Sequence, residues 1–263
     1  MVVKHVKEFF KIIRETYYNE EKSTPFDTQT AIVCVLGALS LLLIQFIAKT
    51  GKFIYFLREL NLHSASSYFM AVFMPSENGN LAQLIWFASF SFFFYLIFPL
   101  LCMRIVSNKR PSDFGLKLKG SFLYGKFYLI FMMLMFPVIL LAATFPSFQA
   151  MYPFYTAPAG SSIWPNILIW EVFYLLQFLG AEFFFRGFLI HGLKHRFGFY
   201  SIFISMIPYC MIHFQKPFLE ALASIFAGLI LGMMSLRTNS VIMGTALHFG
   251  VALTMDICAL LMR

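Results

Sequence analysis

The stretch Gly180-Ala-Glu-Phe-Phe-Phe-Arg-Gly-Phe188 decides the fold, because it places two opposite charges inside a long apolar segment. Glu182 and Arg186 are four residues apart, so on a helix they share one face about one turn apart. A charged side chain at membrane depth costs at least roughly 2.5–3.5 kcal/mol, and such side chains usually have a function. The pair therefore predicts a membrane-crossing helix that contributes to a buried polar site.

The composition of the chain is typical of a polytopic membrane protein. Hydrophobic residues make up 60% of the 263 residues and charged residues 12%, and the mean hydropathy is +0.76. Soluble domains carry about 25% charged residues. The net charge is +8, but the basic residues lie beside apolar segments, where they set the topology and meet lipid headgroups. We therefore expect the lipid bilayer as a partner and no binding of nucleic acid.

Hydropathy along the chain predicts an all-α, polytopic membrane helical bundle of about 7–8 transmembrane helices around an intramembrane polar cavity. The mixed region 51–81 predicts one or two short or interfacial helices and leaves room for an eighth span. The seven predicted spans are 31–48, 82–103, 127–145, 166–192, 197–213, 219–236 and 240–261.

Charge and periodicity divide the chain into three regions and orient it. Residues 1–30 predict an amphipathic helix on the cytoplasmic membrane surface, with a tail helix packed on the protein as the alternative. Residues 31–103 hold the N-terminal spans and interfacial helices, and residues 104–263 form the main membrane domain. The loop 104–126 has six Lys and Arg residues against one Asp, so it is expected in the cytoplasm, together with the N-terminus.

Three further polar residues lie in apolar surroundings and predict the rest of the site. They are His213, His248 and Asp256. Asp256 follows His248 by eight residues, about two turns on, so both can line one cavity. A buried carboxylate beside two imidazoles can activate water, with Arg186 keeping the carboxylate of Glu182 ionised. The alternatives are a structural salt bridge between Glu182 and Arg186 and ordinary buried histidines.

Metal and cysteine chemistry have weaker support in the sequence. No cofactor is required, and no His-Glu-x-x-His arrangement is present, but two histidines and an acid from three helices leave a divalent metal possible. The four cysteines are scattered through apolar runs, as small buried hydrophobic residues are. Cys210 lies three residues before His213, so a Cys–His nucleophile pair is conceivable.

The order of these residues resembles the three motifs of the CPBP family, which comprises the type II CAAX prenyl endopeptidases and the bacterial Abi-type intramembrane proteases. The matching stretches are Glu182-Phe-Phe-Phe-Arg186, Tyr209-Cys-Met-Ile-His213 and His248 in the last span. The resemblance covers roughly residues 105–261. It implies a helical bundle of about eight spans and a glutamic endopeptidase (hydrolase) activity, with the motif residues converging on a cavity within the membrane.

The sequence departs from the family pattern at two positions. Ala181 stands where the family has the Glu that is taken to activate water, and Ala252 stands where an Asn is typical. The resemblance implies that Glu182 and His213 position or activate water, Arg186 holds Glu182, and His248 polarises the scissile carbonyl. Asp256 is predicted as a supporting or substitute acid, and Glu220 is its alternative or an interfacial charge.

The combined prediction is an intramembrane endopeptidase of the bacterial inner membrane. Its expected substrate is a membrane protein or lipidated peptide, cut near its C-terminus. The alternatives are a catalytically silent family member that binds a membrane partner, and a proton-coupled small-solute transporter. The transporter has less support because no inverted repeat is evident.

Overall fold

The computed structural model describes residues 25–262, and this part of the chain is helical with no β-strand. The predicted amphipathic helix lies mostly outside the described residues, since these begin at residue 25. The α-helices, in chain order, are α1 Thr28–Leu43, α2 Thr50–Glu59, α3 His63–Phe73, α4 Leu81–Phe92, α5 Phe98–Ser107, α6 Gly125–Ala143, α7 Pro146–Gln149, α8 Asn166–Glu182, α9 Ile190–Phe197, α10 Ser201–Met211, α11 Phe218–Thr238 and α12 Ile242–Leu261.

Six helical runs among the described residues are long and apolar enough to cross a membrane. They are Thr28–Ala48, Leu81–Ser107, Ser121–Ala143, Asn166–Met211, Phe218–Thr238 and Ile242–Leu261. Their outward faces carry many exposed large apolar side chains, such as Phe127, Met133 and Leu141 on α6. A surface of this kind is stable against lipid and unfavourable in water, so the chain is an integral membrane protein.

The run Asn166–Met211 contains two of the seven predicted spans, which explains the lower count. A straight helix of its 46 residues would be about 69 Å long, more than twice the roughly 30 Å hydrocarbon core. The run reverses at Gly198, whose φ of +53° is a left-handed value that favours glycine. The reversal brings α10 back onto the preceding helix, where the hydroxyl of Ser205 donates to the Phe185 carbonyl at 2.6 Å.

Region 51–81 was predicted to form one or two short or interfacial helices or an eighth span, and in the structure it forms two short helices, α2 and α3. They have 10 and 11 residues, too few to span the hydrocarbon core. Aromatic side chains join them to α4, with the ring of Phe53 5.0 Å from that of Trp86. The Trp86 indole donates to the Ile47 carbonyl at 2.8 Å, which fixes α4 against the end of the first span.

A π-helical segment, Phe183–Leu189, continues α8 and carries Arg186. All seven of its residues are buried, and their phenylalanines form the centre of the main apolar core. The first span contributes to the same core, because a Cβ on Gly192 would lie 2.9 Å from Val33. The regions 31–103 and 104–263 therefore pack around one core, and α8 lies between α4 and α12.

Candidate active site

Glu182 lies at the end of α8 with no exposed surface. Its Oε1 atom is 3.2 Å from Nη1 of Arg186 and 2.8 Å from Nδ1 of His248. Its Oε2 atom has no hydrogen-bond partner among the described residues and faces Gly244, where an added Cβ would lie 3.0 Å away. One carboxylate oxygen therefore holds two neighbours in place, and the other remains open.

The Arg186 guanidinium is held on both its edge and its face. Its Nη2 atom donates to the Ala227 carbonyl on α11 at 3.5 Å, in addition to the ion pair with Glu182. The plane lies over the Tyr209 ring, with Cζ 3.8 Å from the ring centroid. Charge pairing and a cation–π contact together stabilise a charged group that is 1% exposed.

His248 on α12 has a defined orientation. A carboxylate oxygen accepts hydrogen bonds, so Nδ1 carries the proton in the 2.8 Å contact with Glu182. The ring packs against Phe178 at a centroid distance of 4.4 Å. With Nδ1 fixed by the carboxylate, Nε2 is the atom left to act on a substrate.

His213 follows the end of α10 and has its tautomer fixed by the backbone. Its Nδ1 atom is 2.8 Å from the Tyr209 carbonyl, which can only accept, so Nδ1 carries the proton. In the neutral ring the lone pair is then on Nε2. The Tyr209 ring is close to both histidines, with its centroid 4.7 Å from the His213 ring and 6.2 Å from the His248 ring. Tyr209 therefore joins four of the five predicted site residues into one cluster.

Asp256, the fifth predicted site residue, lies apart from this cluster. It is buried and faces the Glu171 carboxyl and the Trp170 indole of α8. It is two helical turns, about 12 Å, from His248 along α12. Among the described contacts it meets neither Glu182 nor His213, so the structure does not support it as a substitute acid.

Glu171 was not among the predicted site residues, although a signal for it was present. It is an acid in the same apolar segment as Glu182, eleven residues earlier. A stack of aromatic rings separates the two acids along α8, with Trp170 4.6 Å from Tyr174 and Tyr174 4.5 Å from Phe178. The structure thus contains a second buried polar cluster, at the opposite end of α12 from the turn that joins α11 to α12.

Glu220, the alternative second acid, is hydrogen-bonded outside the cluster around Tyr209. Its carboxylate accepts from the Tyr152 hydroxyl at 2.8 Å and is 3.4 Å from Nζ of Lys216. Burial lowers the pKa of Lys216, and the Glu220 carboxylate opposes that shift. The Lys216 ammonium also donates to the Tyr152 hydroxyl at 2.5 Å. These bonds connect the loop after α7 to the start of α11 and leave Glu220 without contact to Glu182.

The two positions that depart from the family pattern are buried among apolar side chains. Ala181 belongs to the main core with Tyr95 and Phe184, and Ala252 belongs to a second apolar cluster with Trp170 and Phe178. No side chain described here replaces the missing carboxylate or amide at those two points. The polar chemistry of the site therefore depends on the four residues around Tyr209.

Metal and thiol chemistry find little support in this arrangement. Among residues 25–262, no group of three or more His, Cys, Asp or Glu side chains is arranged to hold a metal ion. The Cys210 thiol points to the Ala221 carbonyl at 3.9 Å, and the imidazole of His213 bonds to its own helix. The conceivable Cys–His pair is therefore not formed in this structure.

Comparison with known proteins gives one family match, over part of the chain. Residues 162–254 match the model of the Rce1-like family, described as type II CAAX prenyl endopeptidase Rce1-like. The matched segment includes Glu182, Arg186, His213 and His248 and ends before Asp256. No curated protein and no solved structure matches the chain significantly. The match over residues 162–254 and the three motifs within it support membership of the CPBP family, to which the type II CAAX prenyl endopeptidases belong.

Proposed function

We propose that this protein is an intramembrane endopeptidase that hydrolyses a peptide bond near the C-terminus of a membrane-associated or lipidated substrate. The observation that carries the proposal is the fixed orientation of both imidazoles. Each ring has Nδ1 bonded to an acceptor, His248 to Glu182 and His213 to the Tyr209 carbonyl, so each has Nε2 free for chemistry. A lone buried histidine does not need such an arrangement.

In the proposed reaction, His213 acts as the general base. Its Nε2 lone pair takes a proton from water, and the hydroxide formed adds to the scissile carbonyl carbon. The resulting His213 imidazolium then gives that proton to the leaving amine nitrogen as the C–N bond breaks. The products are a new carboxyl group and a free amine, and His213 returns to its neutral form.

Glu182 acts on the oxygen of the attacking water, and His248 acts on the oxygen of the scissile carbonyl. The open Oε2 atom of Glu182 can accept a hydrogen bond from the attacking water. An imidazolium at His248, with its Nδ1–H bonded to the Glu182 carboxylate, would have an Nε2–H to donate to the oxyanion. Ala252 supplies no second donor, and the loss of one oxyanion donor typically costs about 10²–10³-fold in rate. The proposal therefore predicts a slow enzyme rather than an inactive one.

The proposed location is a bacterial inner membrane with a cytoplasmic N-terminus. The basic loop 104–126 lies at the same end of the bundle as Lys194 and Asn239, because the Val241 amide donates to the Gly115 carbonyl at 3.0 Å. By the positive-inside rule this end faces the cytoplasm. The first long span and the second then return the chain to that side, which leaves the N-terminus cytoplasmic.

A second candidate function is a catalytically silent protein that binds a membrane partner through the same cavity. The observation that favours it is the position of the acids. Asp256 faces Glu171, and Glu220 bonds to Tyr152, so neither replaces the carboxylate missing at Ala181. Under this alternative, the site would retain the polar cavity without the rate enhancement.

The test is a cleavage assay in proteoliposomes against a library of membrane-protein C-termini, with products identified by mass spectrometry. The variants are Glu182→Gln and His213→Ala, and the matched controls are Glu59→Gln and His63→Ala on exposed positions of α2 and α3. The proposal predicts cleavage by the wild type and both controls and its loss in both site variants. Partner capture without cleavage, unchanged in the site variants, would favour the silent protein.

A further inference from the structure

The π-helical segment that carries Arg186 is held by serines from two other helices. A π turn bonds i to i+5, occurs rarely and is often found at functional sites. The carbonyl of Phe185 accepts from the Ser205 hydroxyl on α10 at 2.6 Å. The carbonyl of Arg186 accepts from the Ser235 hydroxyl on α11 at 3.0 Å. Both serines are buried, and their hydroxyls must be the donors because a carbonyl only accepts.

The hydrogen bond from Ser235 is the last in a series of side-chain hydrogen bonds, and the donor in each of them is fixed by the chemistry of its partners. Because Ser235 gives its hydrogen to the Arg186 carbonyl, its oxygen accepts from Nε2 of His191 at 3.0 Å. Nδ1 of His191 then accepts from the Lys194 ammonium, also at 3.0 Å. That ammonium donates to the Asn239 side-chain oxygen at 3.3 Å. The series therefore runs from the cytoplasmic turn after α11 to the backbone of Arg186.

The basic loop 104–126 packs directly against the backbone of the π turn. A Cβ on Gly187 would lie 2.5 Å from the Phe114 carbonyl, so the basic loop touches the backbone of the turn. The following residue of that loop, Gly115, accepts from the Val241 amide at 3.0 Å. The turn is thus held between α10, α11 and the basic loop, which is itself hydrogen-bonded to the residue before α12.

The consequence for the site follows from helix geometry. If the π segment relaxed to regular α-helix, the register would slip by one residue, and side chains on either side would rotate by about 100° relative to each other. Glu182 lies directly before the π segment and Arg186 within it. Such a slip would leave Glu182 and Arg186 on one face of the helix, but it would move Glu182 away from His248 or move Arg186 away from Tyr209 and the Ala227 carbonyl.

We propose that Ser205, Ser235 and His191 are positioning residues for the reaction. They hold the π turn in the register in which Glu182 meets His248 while Arg186 meets Tyr209. This inference rests on the proposed function for its effect on catalysis, but its structural part stands on the hydrogen bonds alone. None of the three residues belongs to the family motifs quoted above.

The test compares Ser235→Ala with Ser235→Thr, which keeps a hydroxyl, and with Ser224→Ala. Ser224 is a matched control because it is buried on the same helix and bonds within it, to the Ala221 carbonyl at 2.6 Å. We expect kcat to fall by about 10–100-fold in Ser235→Ala, with KM within about twofold, since small misplacements of reacting groups cost that much. Ser235→Thr and Ser224→Ala should remain near wild type.

A readout independent of activity is the ¹⁵N NMR signal of the His248 ring in nanodiscs, which reports the bond from Nδ1 to Glu182. The signal should shift in Ser235→Ala and in His191→Leu, and should return towards wild type in His191→Gln, whose amide can donate in place of Nε2. An unchanged His248 signal in a folded Ser235→Ala variant would overturn the inference. If the wild type cleaves nothing, the proposed function fails, and the NMR comparison still decides the positioning role.

Discussion

The contact between Glu182 and Gly244 allows one substitution to disturb the site without removing any functional group. In Gly244→Ala the new methyl carbon would lie 3.0 Å from Oε2 of Glu182, closer than ordinary van der Waals contact. The carboxylate cannot easily move, because its other oxygen is held at 2.8 Å by His248 and at 3.2 Å by Arg186. The substitution therefore has to weaken at least one of those two contacts or shift α12.

The matched control is Gly250→Ala on the same helix, where the nearest atom to the new Cβ would be the Met132 sulfur at 3.7 Å. Both substitutions gain up to about 1 kcal/mol of helix propensity. Only Gly244→Ala is overpacked, at a typical cost of about 1–3 kcal/mol. The Tm of the two variants should therefore differ by roughly 2–12 °C, with Gly244→Ala the lower.

The assay is thermal unfolding in detergent together with kcat in proteoliposomes. A displaced carboxylate should lower kcat in Gly244→Ala by about 10–100-fold, while Gly250→Ala stays near wild type. If the two variants have the same Tm and the same kcat, Glu182 does not occupy the position described, and the reasoning is refuted.

Three further predictions follow from the contacts of single side chains. Arg186→Lys should lower kcat at least about tenfold, because an ammonium cannot lie flat on the Tyr209 ring while it pairs with Oε1 of Glu182 and donates to the Ala227 carbonyl; activity equal to wild type would contradict this. Asp256→Asn should retain cleavage within about threefold of wild type, since Asp256 does not touch the reacting groups; its loss would restore Asp256 as an acid of the reaction. Asp27 caps α1: its carboxylate accepts from the Thr30 amide, and this hydrogen bond holds the pKa of Asp27 below its usual 3.8. The stabilisation from this cap is therefore present above pH 3.8 and is lost as the pH falls through the lower pKa of the folded state. Asp27→Ala should therefore cost about 0.5–2 kcal/mol at neutral pH, measured by unfolding, and that cost should disappear in acid.

Hydropathy predicted the helices because a transmembrane span needs about 20 apolar residues in a row. It separated span 166–192 from span 197–213, close to the reversal at Gly198, but it did not predict that the helix continues through that region as one run, Asn166–Met211. The π geometry after Glu182 was also unpredictable, since it depends on serines 20 and 49 residues further along the chain. Spacing along one chain carries no information about such contacts.

The site residues could be predicted because charged and ionisable side chains are rare inside apolar segments. Glu182, Arg186, His213 and His248 all form one cluster, as their isolation in apolar runs indicated. Asp256 satisfied the same criterion and lies elsewhere, because it is two turns beyond His248 along α12 and faces Glu171, which is eleven residues before Glu182 on α8. A rare polar residue therefore predicts a buried contact, and only the packing of helices decides which contact that is.

The most direct test of the central claim is hydrolysis carried out in water enriched in ¹⁸O. Wild-type protein in proteoliposomes should produce shortened substrates whose new C-terminal carboxyl group contains one ¹⁸O atom, and His213→Ala should produce none. Substrates that stay intact with the wild type, while they still bind to it, would contradict an enzyme and leave a binding protein built on a protease fold.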